Sequence, residues 1–187
     1  MKVVVGLGNP GPEYDATRHN VGWWLLDRIA YEWRLPLFER DGRALVSEGS
    51  KGNVLYRLMK PITYMNRSGG ALAPLASLPE FRLEEDLLVL VDDAALELGR
   101  VRFRPRGSPG GHNGLRSISE ALGTDDYPRL RMGVGYPPQG EDLSDWVLSP
   151  MSPEDEDVVL DLLPELVKGV EVWGEEGVEA AMDGFNR

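Results

Sequence analysis

Cysteine is absent from this chain of 187 residues, and histidine occurs only twice, as His19 and His112. The lack of cysteine excludes disulfides, thiolate nucleophiles, iron–sulfur clusters and cysteine-ligated zinc, and it fits a reducing compartment. The two histidines are far apart and belong to no H-E-x-x-H pattern. The sequence therefore gives little support for a metal site.

Long apolar runs are also missing. No stretch approaches the roughly 20 apolar residues that a membrane-spanning helix needs. The apolar residues at the N-terminus end at Asn9-Pro10-Gly11, and they lack the charged start and the length of a secretory signal. We therefore expect a soluble protein of the cytoplasm that does not contact a membrane.

Charge is in acidic excess but unevenly distributed. The formal net charge is -11, yet residues 141–187 hold 14 acidic and two basic residues, whereas residues 1–140 hold 17 acidic and 18 basic ones. Between residues 99 and 135 there are seven arginines and three acids. A basic surface that binds nucleic acid is compatible with this distribution, despite the acidity of the whole chain.

Apolar patterning predicts an α/β fold. Strands are predicted at residues 2–5, 44–48, 54–59, 87–91, 100–104 and 130–134, with a hairpin turn at 49–53. Helices are predicted at 20–33, 66–78 and 113–122, and an acidic helical segment covers about 152–187. Because these elements alternate without a long linker, we predict a single domain over residues 1–187, with a central mixed β-sheet and helices on both faces.

The segment Gly6–Gly11 matches G-x-G-x-x-G directly after a predicted strand, which is a pattern of dinucleotide-binding turns. Pro10 and Pro12 remove two of the amides that such a turn offers to a phosphate. No apolar-periodic helix follows the glycines. Nucleotide binding by this segment is therefore disfavoured.

Polar residues with catalytic potential follow two of the predicted strands. Asp92 and Asp93 end the most apolar strand, and Asn9 follows the first one, at the strand ends where α/β proteins bind ligands. A neutral histidine held by an aspartate can act as a general base, and an asparagine can donate to a carbonyl that gains charge. The alternative is that the acids are solvated and that His19 and His112 are structural residues of turns.

Arginines alternate with apolar residues at positions 100, 102 and 104, which places three guanidinium groups on one face of a strand. Arg106, Arg129 and Arg131 extend this set, and a glycine-rich loop at 107–111 would let a bulky ligand approach the backbone. Such a cluster suits phosphate. The alternative is a solvated face with local ion pairs.

Several segments jointly resemble the bacterial-type peptidyl-tRNA hydrolases. They keep the order and spacing of that family from residue 1 to about 150: Gly6–Gly11 with Tyr14, Thr17–Gly22, Lys60–Gly69, Val91–Asp93, Gly110–Ile118 and Leu130–Gly135. The resemblance implies a monomeric enzyme without metal or cofactor, which hydrolyses the ester between peptide and tRNA in peptidyl-tRNA. In translation, such an enzyme recycles peptidyl-tRNA from stalled or aborted synthesis, a form of ribosome rescue.

The resemblance also implies roles for individual residues. His19 corresponds to the histidine that activates water, Asp92 to the acid that orients it, and Asn9 to the residue that helps to distinguish peptidyl-tRNA from aminoacyl-tRNA. Substrate-binding positions and basic positions for the phosphate of tRNA are matched by further residues: Tyr14, Tyr64, Asn66 and Asn113, and Arg104 and Arg131.

Two segments depart from the family pattern. Residues 94–97 read Ala-Ala-Leu-Glu where the family usually has Leu-Asp-Leu-Pro, and Tyr136 stands where arginine or histidine is frequent. The competing interpretations are a non-catalytic RNA-binding protein on the same fold and an esterase for small molecules, although a G-x-S-x-G motif is missing. We also hypothesise that the acidic C-terminal helix forms a lid over the substrate.

Overall fold

The computed structural model describes residues 1–187. Its seven strands are β1 Lys2–Gly6, β2 Glu39–Asp41, β3 Ala44–Lys51, β4 Val54–Pro61, β5 Leu87–Asp93, β6 Val101–Arg104 and β7 Arg129–Gly133. They form one sheet in the order β2-β3-β4-β1-β5-β7-β6. The central strands β4, β1, β5 and β7 are parallel, whereas β2, β3 and β6 are added antiparallel at the two sides. The predicted mixed sheet is confirmed.

Helices cover both faces of the sheet, as predicted. They are α1 Val21–Glu32, α2 Gly69–Leu72, α3 Leu83–Asp86, α4 Asn113–Leu122, α5 Leu143–Val147, α6 Pro153–Glu176 and α7 Val178–Phe185. Short 3-10 turns lie at Pro12–Tyr14, Arg18–Asn20, Met65–Arg67 and Ala73–Ser77. None of the helices combines the length and the apolar composition that a membrane span requires.

The sheet separates two apolar cores. One joins Val4 and Leu88 to residues of α1, α6 and α7, and the other joins Val3 and Val89 to residues of α2 and α4. Side chains along a strand point to alternate faces, so a strand that is covered on both sides has to be apolar throughout. This explains the uninterrupted apolar runs of β1 and β5.

Strands β1 and β5 lie side by side at the centre of the sheet, with Val4 opposite Leu88 and Gly6 opposite Leu90. Because the two strands are parallel, their carboxyl ends meet at one edge of the sheet. Asn9 follows β1 at this edge, and Asp92 lies near the end of β5. The topology therefore brings together residues that are more than 80 positions apart in the sequence.

Two predicted elements differ in detail from the structure. The helix predicted at 66–78 is broken into the turn Met65–Arg67, the four residues of α2 and the turn Ala73–Ser77. Pro74 lies inside this region and cannot donate a helical hydrogen bond. The hairpin turn is shorter than predicted, because Lys51 pairs with Val54 and only Gly52 and Asn53 connect the strands. Gly52 has φ +60°, which suits such a two-residue turn.

The acidic C-terminal segment forms α6 and α7. The Ser152 hydroxyl accepts a hydrogen bond of 3.2 Å from the amide of Asp155 and so caps α6. After α7, the backbone of Arg187 exchanges hydrogen bonds of 2.9 and 3.1 Å with Val101. The C-terminus thereby covers β6, which would otherwise be an open edge of the sheet.

Candidate active site

A cavity of about 940 Å³ opens at the carboxyl ends of β1 and β5. The 3-10 turn before α1, the start of α4, the arginine strands β6 and β7, and α5 surround it. All the site residues predicted from the sequence line this cavity: Asn9, Tyr14, His19, Tyr64, Asn66, Asp92, Arg104, Asn113 and Arg131. The fold therefore gathers into one place residues that the sequence distributes between positions 9 and 131.

His19 and Asp92 form a buried pair at the base of the cavity. Nδ1 of His19 lies 2.8 Å from Oδ2 of Asp92, and the two residues are 8% and 3% exposed. Burial opposes the charged form of His19, but the charge and the hydrogen bond of Asp92 outweigh it and raise the pKa of His19 above 6.5. Nδ1 donates to the carboxylate, so Nε2 keeps its lone pair, and it has no hydrogen-bond partner within the protein.

Asp92 holds the second histidine as well. Nε2 of His112 lies 2.8 Å from Oδ1 of Asp92. Burial disfavours the charged form of Asp92, but the interactions with His19 and His112 outweigh it and hold the pKa of the carboxyl well below its usual range. Asp92 is therefore an ionised acceptor that receives one N–H from each imidazole.

The other nitrogen of His112 caps a helix. Nδ1 accepts hydrogen bonds from the amides of Gly114, at 3.1 Å, and Leu115, at 3.3 Å, in the first turn of α4. A ring nitrogen that accepts carries no proton, so the proton of His112 is on Nε2. Both nitrogens of His112 are thus engaged, and only His19 has a lone pair free for chemistry.

The amide of Asn9 has a fixed orientation. Its Oδ1 accepts a hydrogen bond of 2.7 Å from the backbone amide of Met65. Its backbone N–H and C=O are bound by the side chain of Asn20, at 2.9 and 3.0 Å. The Nδ2 group of Asn9 makes no hydrogen bond within the protein, and it is a donor available to a carbonyl in the cavity.

Tyr64 has strained backbone geometry beside Asn9. Its φ of 63° and ψ of 154° fall in a region that is nearly restricted to glycine. Tyr64 directly precedes Met65, so this geometry aims the amide of Met65 at Asn9. The Tyr64 ring is 53% exposed and stands edge-on to Tyr14, with 6.4 Å between the ring centroids. Strain of this kind is typical of functional sites.

Four arginines share one face of the β6–β7 pair, since Arg102 is opposite Arg131 and Arg104 is opposite Arg129. Arg129 is 2% exposed and donates to the carbonyls of Tyr127 and Asp125 at 3.1 and 3.0 Å. This arginine is structural.

The remaining arginines of the cavity are more accessible. Arg131 pairs with Asp93 at 2.5 Å. Arg104 and Arg106 line the same cavity without an ion pair, and they are the cations most accessible to a phosphate.

The side chains of His19, Asp92 and His112 also form a group whose ligand atoms lie within 4.8 Å of one another. Both nitrogen-to-oxygen distances are 2.8 Å, which is the length of a hydrogen bond. Ligands around a tetrahedral zinc ion are about 3.3 Å apart, given bonds of about 2.0–2.1 Å. The arrangement has the distances of hydrogen bonds, which are shorter than those between the ligands of a tetrahedral zinc ion.

Arg18 attaches α5 to the turn that carries His19. Its guanidinium stacks on the ring of Trp146, 3.4 Å from the ring centroid, and donates to the Ser149 hydroxyl at 2.6 Å. Leu143 and Val147 of α5 line the cavity, whereas no residue after Leu148 does. Helix α6 therefore does not line the cavity, so the lid hypothesis for the acidic segment gains no support from this lining and stays a hypothesis.

Sequence reasoning gave no specific role to four residues near the site. They are Arg18, Asn20, Asp93 and His112, whose hydrogen-bond partners lie 11 to 131 positions away in the sequence. The histidines offered a signal, because each is followed by asparagine and a nearby glycine. The choice between them required the hydrogen bonds of each ring nitrogen.

The fold and the site together define an α/β protein with a general-base centre of a kind suited to hydrolysis. A family model described as "Peptidyl-tRNA hydrolase" matches residues 3–187. The chain is 45% identical to the peptidyl-tRNA hydrolase of Gemmatimonas aurantiaca over 190 residues, covering 100% of both chains. It is 46% identical to that of Symbiobacterium thermophilum, covering 99% of this chain and 98% of the other.

The similarity extends to solved structures. The crystal structure of peptidyl-tRNA hydrolase from Acinetobacter baumannii superposes with a TM-score of 0.92 at 31% identity. The match covers 100% of this chain and 94% of that one. This chain belongs to the peptidyl-tRNA hydrolase family.

Proposed function

We propose that this chain hydrolyses the ester bond between peptide and tRNA in peptidyl-tRNA, with His19 as the base. The observation that carries the proposal is that Nε2 of His19 has no hydrogen-bond partner in the protein, while Nδ1 of the same ring is hydrogen-bonded to Asp92. The cavity in which this pair lies is lined by arginines. A positioned base of this kind contributes roughly 10²–10⁴-fold to a reaction rate. Membership of the family supports the same reaction.

The reaction can be written with side chains of this chain alone. Nε2 of His19 takes a proton from water while the water oxygen bonds to the ester carbonyl carbon. The resulting imidazolium is stabilised by Asp92. The tetrahedral intermediate then breaks the bond between carbon and the ribose oxygen, and His19 returns its proton to that oxygen. The products are a peptide with a free carboxylic acid, which loses its proton to solvent, and a tRNA with a free terminal hydroxyl.

Asn9 supplies a fixed donor for a substrate carbonyl. Because Met65 holds its Oδ1, Nδ2 can serve only as a donor. A peptidyl ester offers amide carbonyls next to the ester, whereas an unblocked aminoacyl ester offers an ammonium group, which is itself a donor. This contrast supports a role of Asn9 in selecting peptidyl-tRNA. Tyr14, Tyr64, Asn66 and Asn113 surround the same space and are proposed to contact the peptide and the end of the tRNA.

Arg104 and Arg131 are proposed to bind a phosphate of the tRNA. Arg104 has no competing carboxylate, and Arg131 would share or exchange its bond to Asp93. Guanidinium groups bind phosphate with paired hydrogen bonds, and phosphate contacts supply most of the sequence-independent affinity for nucleic acid.

The decisive experiment compares two substrates and two variants in the presence of a chelator. We expect N-acetyl-aminoacyl-tRNA to be cleaved and unblocked aminoacyl-tRNA to be spared. His19→Ala and His19→Gln should still fold and bind tRNA, but should not cleave. A wild-type protein that binds tRNA and cleaves neither substrate would instead be the non-catalytic RNA-binding protein considered above.

We also propose that residues 1–187 act as one catalytic domain, as a monomer in the cytoplasm. The proposed site residues all come from one copy of the chain and line one cavity, so a second copy is not needed to complete the site. The absence of cysteine fits a reducing compartment. Sedimentation equilibrium at micromolar concentrations should give a mass near 20.7 kDa.

A further inference from the structure

His112 occupies an unusual position, because its ring joins the catalytic pair to the start of a helix. Nδ1 receives the amides of Gly114 and Leu115 in α4, and Nε2 reaches Oδ1 of Asp92 at 2.8 Å. Serine, threonine, aspartate and asparagine are the usual residues at such a cap. A histidine here therefore supplies something more than a cap.

We propose that His112 is a positioning residue, fixed as the Nε2–H tautomer by α4, which holds the Asp92 carboxylate in place and moderates its effect on His19. This inference rests on the proposed function of His19 as the base. The backbone amides of α4 are donors that cannot be reversed, so they leave Nδ1 only the role of acceptor. A proton on Nδ1 would break both cap bonds.

The tautomer of His112 determines how Asp92 behaves. Nε2 of His112 donates a hydrogen bond to Oδ1 of Asp92, and this bond partly offsets the negative charge of the carboxylate. The electrostatic effect of Asp92 on His19, through Oδ2, is therefore reduced. Two N–H donors on one carboxylate also fix the plane of the carboxyl group. The His19 ring is thereby held with Nε2 towards the cavity, and its basicity is lower than a carboxylate with a single partner would produce.

No other charged side chain nearby replaces the contact between His112 and Asp92. The rings of His19 and His112 are 4.9 Å apart at their centroids and do not hydrogen-bond each other. Asp93 points to Arg131, and Arg18 points to α5. The other charged residues that line the cavity or lie in the first turns of α4 are all arginines: Arg104, Arg106, Arg116 and Arg129.

Two substitutions separate the cap from the contact with Asp92. His112→Asn keeps a good cap acceptor but is too short to reach Asp92 as well, whereas His112→Ala removes both interactions. With His112→Asn we expect the acidic limb of kcat/KM to move to higher pH by about half a unit to one unit, because Asp92 then acts more strongly on His19. We expect kcat to fall roughly tenfold, because the carboxylate loses a hydrogen bond that positions it.

Ser152→Ala is the matched control, since it removes the side-chain cap of α6, far from the cavity. Like His112→Ala, Ser152→Ala should lower the unfolding temperature. It should leave the acidic limb of the kcat/KM profile at the same pH as in the wild type. If His112→Asn has the kcat of the wild type and an acidic limb of kcat/KM at the same pH, then His112 is only a cap of α4 and the proposal is wrong.

Imidazole ¹⁵N spectra at pH 8 test the tautomers without any activity. The chain has only two histidines, so His19→Ala assigns both rings. We expect one ring in the Nδ1–H form, His19, and one in the Nε2–H form, His112; two rings in the same form would overturn the proposal. In His112→Asn, the pKa of His19 followed in these spectra should be higher than in the wild type, even if the wild type cleaves no ester. Failure of the proposed function is therefore distinguishable from failure of this inference.

Discussion

The bond between His19 and Asp92 makes the pH dependence of the reaction predictable. Burial lowers the pKa of His19, and Asp92 raises it by more, so that the pKa lies above 6.5. As the proposed base, His19 has to be unprotonated to accept a proton from water. The rate should therefore rise with pH and reach half its maximum at the pKa of His19, on the alkaline side of pH 6.5.

Asp92→Asn should lower the pKa of His19, whereas Asp92 raises it. Without the carboxylate, burial acts alone on His19, and its pKa falls, so the acidic limb of kcat/KM moves to lower pH. The maximal rate should also fall, by about 10²–10⁴-fold, since the base loses its orienting partner. Steady-state kinetics between pH 5 and 9 measure both effects. Asp93→Asn is the control, because Asp93 contacts Arg131 and should leave the limb in place.

The arginines of the β6–β7 face should separate into binding and structural residues. Arg104→Ala should weaken tRNA binding and reduce the slope of log K against log salt by about 1, with little change in stability. Arg129→Ala should instead lower the free energy of unfolding by about 1–3 kcal/mol, because the buried guanidinium bonds two backbone carbonyls. Arg82→Ala, directly before α3, should change neither quantity appreciably. Equal loss of affinity in all three variants would contradict this division.

Close packing of α1 against the sheet sets the distance between His19 and Asp92. A Cβ on Gly22 would lie 2.7 Å from the carbonyl oxygen of Leu90 in β5 and 3.0 Å from the amide of Leu7. Gly22 is three residues after His19, and Leu90 is two before Asp92. Only glycine allows the backbones of α1 and β5 to approach this closely.

Gly22→Ala should therefore move α1 and the turn that carries His19 away from β5. We expect a loss of about 1–3 kcal/mol in the free energy of unfolding, from overpacking, together with a fall in kcat as the bond to Asp92 lengthens. Gly184→Ala, on α7, is the matched control, since its Cβ would meet no atom within 4 Å. Denaturant unfolding and kcat measure the two effects, and a Gly22→Ala variant as active and as stable as Gly184→Ala would refute this account.

Elements with strong local signals could be predicted from the sequence, and those that depend on tertiary contacts could not. The apolar run of β5 and the cap pattern of α6 are local, and both elements occur as predicted. Helix α5 has five residues and is held by Arg18, while β2 has three exposed residues and pairs only with β3. Neither has an apolar periodicity of its own.

The same distinction applies to the candidate site. The positions that line the cavity were named through the resemblance to a family, and the strand ends alone had already pointed to Asn9 and Asp92. Hydrogen-bond direction was not predictable, because it depends on Met65 for Asn9 and on the amides of α4 for His112. Met65 lies 56 positions from Asn9, and Asp92 lies 20 positions from His112, so the sequence does not show that these residues meet.

Separation of charge across the whole molecule allows an acidic chain to bind a polyanion. Glu175, Glu176 and Glu179 lie with Lys2 around a polar depression, and Lys2 begins β1, whereas the cavity opens at the other end of that strand. Five residues of a strand span about 16 Å, which exceeds the Debye length of about 8 Å at physiological salt. The field of these acids is therefore largely screened at His19 and Asp92, whereas Arg106 lines both the depression and the cavity.

Neutralising these three acids tests that separation. In Glu175→Gln/Glu176→Gln/Glu179→Gln we expect the Kd for tRNA to change by less than about twofold at 0.15 M salt, because the screened charges contribute little there. At 0.01 M salt the Debye length grows to about 30 Å, and the variant should then bind tRNA more tightly than the wild type. Fluorescence anisotropy with labelled tRNA at both salt concentrations measures the difference. An equally large gain in affinity at both concentrations would mean that the acids lie next to the bound tRNA, and the acidic segment would then belong to the binding surface.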